Sequence, residues 1–263
     1  VRKALTFVVA VAAVATLAAG CDSDDADRAA TPAPVSTAPS TAPSTGTPST
    51  SASPEPSATP TADPTPDKLR RGAEGDRVTA LQERLTELGY WNGKADGSFG
   101  GQTQQAVFAL QKAAGLTRDG VVGTKTQKAL DQGVRPKAES DTGYVIEISK
   151  KRQLLMLVKD GEVTQTFNTS TGSYQQYQQD GATHTAATPS GRFAVSRQID
   201  GWRNAPLGML WRPKYFNGGI AVHGANSVPP YPASHGCARL SISAMNYLWS
   251  NDKIPLDTKV WVY

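Results

Sequence analysis

The chain has 263 residues, a formal net charge of +4, and only two cysteines and three histidines. The modest positive charge favours contact with an anionic surface, and no basic run points to nucleic acid. So few cysteines leave no room for a disulfide framework, and each one calls for its own explanation.

Residues 1 to 21 read as a secretory targeting segment with a lipoprotein-type ending. Arg2 and Lys3 form a basic start, Ala4 to Ala19 are almost all apolar, and small residues lead to Gly20-Cys21. Leu17 stands one position earlier than the usual lipoprotein pattern, so a plain signal peptide or an anchor helix stays open. Lipidation of Cys21 and attachment to a membrane are expected. They would leave Cys237 without a disulfide partner, as a free thiol outside the cytoplasm.

Residues 22 to 67 are acidic at first and then rich in Thr, Pro, Ser and Ala, as in Thr37-Ala38-Pro39-Ser40-Thr41-Ala42-Pro43-Ser44. They offer almost nothing to bury against the backbone entropy of ordering, so a disordered tether is expected. At about 3.1 Å per residue its upper reach is on the order of 100 Å.

From 68 to 133 the composition changes and an internal repeat appears. Asp96-Gly97-Ser98-Phe99-Gly100 with Thr103 and Ala106 recurs at a constant offset as Asp119-Gly120-Val121-Val122-Gly123 with Thr126 and Ala129. Val78, Leu81, Leu85 and Leu88 share one helical face ended by Gly89. Ala106, Val107, Leu110 and Ala114 share another ended by Gly115, and a last helix starts near Thr124. With Leu81-Gln82, Leu88-Gly89-Tyr90 and Leu110-Gln111, this segment resembles the small peptidoglycan-binding domain appended to many wall enzymes. The resemblance implies glycan binding; Asp-Gly by itself prefers turns, so Asp96 and Asp119 are expected to be structural, and Tyr90 and Trp91 to be core.

Residues 134 to 142 read as a short polar linker with Pro136, ahead of a domain over 143 to 263. Strands are expected at Tyr144 to Ile148, Gln153 to Val158, Val163 to Asn168, Arg192 to Ser196, Gly219 to His223 and Thr258 to Tyr263. Lys159-Asp160-Gly161-Glu162 forms a hairpin turn, and a serine-capped helix runs from about Ser241 to Trp249. Ser170 to Thr188 reads as a long lid-like or binding loop, in which His184 has no motif around it and is expected to be solvent-exposed.

Ile220-Ala221-Val222-His223-Gly224, followed by Ser234-His235-Gly236-Cys237-Ala238-Arg239-Leu240, holds one of the two cysteines and two of the three histidines. A thiol is only a few per cent ionised near neutrality, so a nucleophilic cysteine needs an imidazole within reach. His223 approaches from a preceding strand and suits the base, while His235 sits in the same turn as Cys237. Gly236 permits a sharp turn that aims N–H groups at one point, and Arg239 places a permanent positive charge where a substrate carboxylate can be held. A zinc site is the other chemistry open to these residues, although a fourth ligand at familiar spacing is missing. A buried structural cysteine is a further alternative, weakened by Pro229, Pro230 and Pro232, which mark an exposed loop.

Together with Thr188-Pro189-Ser190-Gly191-Arg192-Phe193 and Tyr215-Phe216-Asn217-Gly218-Gly219, this motif resembles the catalytic domain of the bacterial L,D-transpeptidases. The fold then expected is α+β and multidomain: a three-helix peptidoglycan-binding-like domain followed by a mostly β catalytic domain with its catalytic loop at one edge. The resemblance implies Cys237 as nucleophile, His223 as general base, the Gly224 carbonyl as the group orienting that base, and backbone N–H groups of His235 and Gly236 as the oxyanion site. Arg239, Ser234 and Tyr215 would bind substrate, and no metal or cofactor would be needed. The implied partners are peptidoglycan stem peptides and, through Cys21, the outer face of the cytoplasmic membrane. Hydrolysis in place of transfer, or a non-catalytic wall-binding role, stays open.

Overall fold

The computed structural model describes residues 68 to 263. The expectations for Cys21 and for the tether over 22 to 67 lie outside the described residues.

Three helices open the described chain, α1 Asp76–Glu87, α2 Gly101–Ala113 and α3 Thr124–Asp131. Val78, Leu85, Val107, Leu110 and Leu130 meet in a shared core, and Tyr90 is fully buried among them, as expected. Full burial of each large apolar side chain stabilises the fold by about 1.5–3 kcal/mol.

The sequence repeat is also a repeat of hydrogen bonds. Gln82 Nε2 donates to Asp96 Oδ1, the Ser98 carbonyl and Thr103 Oγ1, while Gly97 N–H donates to Gln82 Oε1. Gln111 does the same with Asp119, Val121, Thr126 and Gly120. Both aspartates also receive the amide two residues on, from Ser98 and Val121. Asp96 and Asp119 therefore close turns around a glutamine, which is the structural role expected of them.

Twelve strands follow or lie between the later segments: β1 Tyr144–Ser149, β2 Leu154–Lys159, β3 Glu162–Asn168, β4 Gln176–Gln179, β5 Ala182–Thr185, β6 Gly191–Ala194, β7 Arg197–Gln198, β8 Trp202–Ala205, β9 Gly208–Asn217, β10 Ile220–Ala225, β11 Ala238–Ser241 and β12 Lys259–Val262. One five-stranded sheet has the order β3-β2-β1-β12-β6, a second runs β11-β10-β9-β7 with β8 on β9, and β4-β5 is a separate hairpin. Helix α4, Ile242–Ser250, is capped by Ser241 Oγ, which accepts from Ala244 N–H. Ile146, Ile148, Leu155, Leu157 and Val260 of the first sheet pack with Val222, Ala238 and Leu240 of the second and with Met245 and Leu248 of α4.

Residues 134 to 142, expected as a short polar linker, have no regular secondary structure. The buried Glu147 carboxylate accepts Ser140 N–H at 2.7 Å and Ser140 Oγ–H at 2.6 Å, together with Glu139 N–H and the Tyr263 hydroxyl, which pins the segment to β1. A buried carboxylate needs such donors, and the passing backbone supplies them.

The helical segment is likewise joined to the first sheet. Thr166 N–H of β3 donates to the Gly89 carbonyl at 2.8 Å, and Trp91 N–H donates to the Thr166 carbonyl at 3.1 Å. Those bonds cover the open edge of β3. Leu154 of β2 belongs to the helical core, and Trp91 packs on Phe167 and Tyr247.

Candidate active site

Period-2 alternation in the second sheet sets the site. Val222, Ala238 and Leu240 point into the core, so His223, Cys237 and Arg239 face the other way, into a cleft of about 680 Å³ that they line. Strands β10 and β11 run parallel, with Val222 opposite Ala238 and His223 opposite Arg239, which places Cys237 beside the start of β10. Strand β11 is an edge strand, so the catalytic-looking turn lies at the edge of its sheet as expected. Ala238 and Leu240 are fully buried, because the chain enters the sheet directly after the cysteine.

The Cys237 sulfur accepts the Ala221 amide at 3.4 Å and faces the Gly219 carbonyl at 3.9 Å. Burial pushes its pKa up, opposed by the Ala221 hydrogen bond and the Arg239 charge. His223 is 3% exposed, and its Nδ1 lies 2.9 Å from the Gly224 carbonyl. A carbonyl only accepts, so Nδ1 carries the proton and Nε2 of the neutral ring keeps its lone pair. Burial lowers the imidazole pKa to about 4, with the Gly224 bond opposing and Arg239 adding to the shift. Both groups are therefore neutral at rest.

Gly224 and Gly236 are each required by geometry. A Cβ on Gly224 would come within 2.8 Å of Trp211 Cδ1 and 3.1 Å of Met245 Cβ, so only glycine lets β10 lie this close to Trp211 of β9 and Met245 of α4. Gly236 has φ +149°, and a Cβ there would meet the Ala187 carbonyl at 3.0 Å.

Ser234 and Tyr215, expected to bind substrate, both border the cleft. Ser234 is 3% exposed; its Oγ donates to the Cys237 carbonyl at 2.6 Å and accepts Gly236 N–H at 3.0 Å. Its proton and one of its lone pairs are engaged in buckling the turn, and the Gly236 amide is likewise bonded there. Tyr215 does border the cleft, but it is only 4% exposed, with the Arg197 guanidinium 3.7 Å above its ring.

The cleft has two walls that the sequence did not reveal as strands. The β4-β5 hairpin brings Tyr177 edge-on to His235 at 4.8 Å and stacked on His184 at 5.5 Å; both histidines are exposed. The β8-β9 hairpin supplies Trp202, Leu207 and Met209, all exposed. Arg197, Arg203 and Arg239 line the cleft, and none of the lining residues is acidic.

Beneath the turn lies a buried polar run that joins the end of β3 to the loop expected from Ser170. Asn168, Thr169, Ser170 and Thr171 are each at most 4% exposed. Thr169 Oγ donates to the Arg239 carbonyl, Ser170 exchanges backbone bonds with Arg239, and the Thr171 carbonyl accepts from Ala233 and Ser234. Thr188 Oγ accepts Gly172 N–H and donates to the Gly236 carbonyl at 2.6 Å. Runs of Ser, Thr and Asn carry no periodic signal, although their readiness to bond nearby backbone is the cue that was present.

Residues 143–262 match the L,D-transpeptidase catalytic domain model, and residues 74–130 match a peptidoglycan binding domain model. The fold is similar to the crystal structure of an L,D-transpeptidase (residues 123–326) from Xylanimonas cellulosilytica, at 52% identity and a TM-score of 0.74, covering 77% of this chain and 100% of that one. Among curated relatives, the N-acetylmuramoyl-L-alanine amidase CwlL of Bacillus licheniformis is 47% identical over 78 residues, 28% of this chain and 22% of that protein. The spore cortex-lytic enzyme of Oceanobacillus iheyensis is 34% identical over 156 residues, 59% of this chain and 54% of that protein. The chain thus spans less than two thirds of the length of either curated relative.

Proposed function

Because this chain belongs to the L,D-transpeptidase family, with a peptidoglycan-binding domain ahead of its catalytic domain, we propose that it transfers acyl groups between peptidoglycan stem peptides outside the cytoplasmic membrane. The observation that carries the reading is the free Cys237 thiol in one cleft with a neutral His223 whose Nδ1 is tied to Gly224.

In this mechanism Cys237 Sγ attacks the carbonyl of the third stem residue as His223 Nε2 takes the thiol proton. Since burial disfavours both charged partners, proton transfer and S–C bond formation proceed together, not through a standing ion pair. The oxyanion is held by the His235 and Cys237 amides, the Gly236 amide being bound to Ser234. Collapse breaks the bond to the terminal D-alanine, whose nitrogen recovers the proton from His223, and leaves a thioester. The side-chain amine of a neighbouring stem attacks that thioester, His223 takes the amine's proton, and the thiolate leaves and is reprotonated. The product is a cross-link between two third-position residues.

Arg239, with Arg197 and Arg203 on the facing wall, suits a substrate bearing carboxylates. The helical domain holds the enzyme on the wall, and an acyl chain on Cys21 anchors it to the membrane. The test is mass spectrometry of the intact chain incubated with a stem tetrapeptide. A thioester adduct present in the parent and absent in Cys237→Ala is expected, with cross-linked product formed when an acceptor amine is supplied. No adduct refutes acyl transfer, and an adduct that yields only the trimmed peptide in the presence of acceptor makes the enzyme a hydrolase.

A further inference from the structure

Lysines are almost never fully buried unless paired. Lys112, near the end of α2 in the helical domain, is 3% exposed. Its Nζ donates to the Gln153 carbonyl at 2.8 Å, to Asn168 Oδ1, and to the Thr169 carbonyl at 3.0 Å. All three acceptors belong to the catalytic domain, and among the described residues Lys112 has no ion-pair partner. Burial and the Arg118 charge press its pKa down, to about 6, but three acceptors around Nζ match the three N–H groups of the ammonium and exceed the two of a neutral amine, so the geometry favours the charged form.

The groups that Lys112 holds are the base of the turn bearing Cys237. Gln153 also fixes Thr171, whose amide donates to Gln153 Oε1 at 2.8 Å and whose Oγ accepts from Gln153 Nε2 at 2.6 Å. The Thr171 carbonyl in turn receives the Ser234 amide at 3.0 Å, and Ser234 Oγ bridges Gly236 and Cys237. Thr169 and Ser170 hold the Arg239 backbone on the far side of the cysteine. Two more helical-domain side chains reach the loop before the turn: Gln105 Nε2 donates to the Val228 carbonyl, and Arg118 Nη1 donates to the Pro230 carbonyl, each at 3.1 Å. Gln105 also accepts from Asn168 Nδ2 at 2.5 Å, so it and Lys112 share that asparagine.

We propose that Lys112 is a positioning residue for the Cys237 turn, so that the helical domain completes the active centre instead of only carrying it to the wall. The proposal rests on the acyl-transfer reading, because its effect is on how the turn presents the oxyanion amides and the sulfur to substrate.

The experiment uses the full chain, comparing the parent with Lys112→Met, Gln105→Ala and Arg118→Ala. Thioester formation with a stem tetrapeptide, alkylation of Cys237 by iodoacetamide and the melting temperature are measured for each. In folded Lys112→Met, thioester formation is expected to slow by between about tenfold and a hundredfold, since small misplacements of a turn are felt steeply in rate. KM and alkylation, which depend on an open cleft and on the thiolate that burial and His223 allow but not on the placement of the oxyanion amides, are expected to stay within about twofold. Parental thioester rates overturn the proposal, and so does an equal fall in both reactions, which would mark general loosening. Should Lys112→Met not fold, Gln105→Ala, which removes the bonds to Val228 and Asn168, and Arg118→Ala, which removes those to Pro230 and Lys151, decide in the same way. A parent chain that forms no thioester refutes acyl transfer itself, a different result from a parent and a variant that react alike.

Discussion

His223 offers the sharpest quantitative test, because its titration bears on both stability and mechanism. In the unfolded chain an imidazole takes up its proton near pH 6.5, and in the fold burial lowers that value to about 4. Between the two values the unfolded chain binds more protons, so stability falls as pH drops from above 6.5 towards 4, and on this account falls no further below it. At pH 4.5 the unfolded ring is almost fully protonated and the folded one is not. At about 1.36 kcal/mol per pH unit the difference amounts to about 2.5 kcal/mol. Urea unfolding of the parent and of His223→Gln at pH 7 and pH 4.5 measures it: the parent is expected to lose that much more than the variant. The acid limb of kcat/KM is then expected near pH 4 instead of near the free imidazole value. Equal acid losses in the two proteins, or a His223 ring resonance titrating near 6.5 or above, would refute the neutral-base mechanism.

Gly224→Ala, which drives a methyl group against Trp211 and Met245, is expected to destabilise the chain by about 1–3 kcal/mol and to lower kcat more than it changes KM, measured by denaturation and steady-state kinetics. Gly236→Ala, strained at φ +149° and pressed on the Ala187 carbonyl, is expected to lose thioester formation while iodoacetamide still modifies Cys237, read by mass spectrometry. Residues 143 to 263 expressed alone leave the edge of β3 open and Leu154 exposed; about 1.5–3 kcal/mol is lost on Leu154 alone, so a lower melting temperature and concentration-dependent light scattering are expected. Cys21→Ala is expected to release the chain from the membrane fraction with a mass lacking acyl chains, and unchanged partitioning would sink the lipid anchor.

Where a residue's chemistry or period was strong, the sequence was readable. Val78, Leu81, Leu85 and Leu88 mark α1 by their spacing, Asp160-Gly161 marks the turn between β2 and β3, and the cysteine and histidine motif marks the cleft. The hairpin walls were hidden for opposite reasons. Gln176 to Gln179 and Ala182 to Thr185 have no fully buried face and carry no apolar alternation, while β9 carries Pro213 and has Arg212 at φ 47°, which interrupts its pattern. Ser234 reads as a substrate hydroxyl from its place beside the motif, and only coordinates reveal that both its bonds turn inward. Lys112 was the least legible, because nothing in a helix sequence announces that a lysine will meet three carbonyl-type oxygens from residues far along the chain.

That buried ammonium also has a meaning in time. The helical segment precedes the catalytic domain in the chain and its core is drawn mostly from its own residues, so it is the part suited to folding early. Gly89 and Trp91 then present a fixed carbonyl and amide against which β3 can be laid. Until residues 153 to 169 arrive, Lys112 stays in water. A strand that docks one residue out of register would press an unsatisfied charge beneath the sheet, a penalty of several kcal/mol. The lysine thereby acts as a proofreader of assembly, tolerating only the arrangement in which the polar run beneath the cysteine is correctly seated.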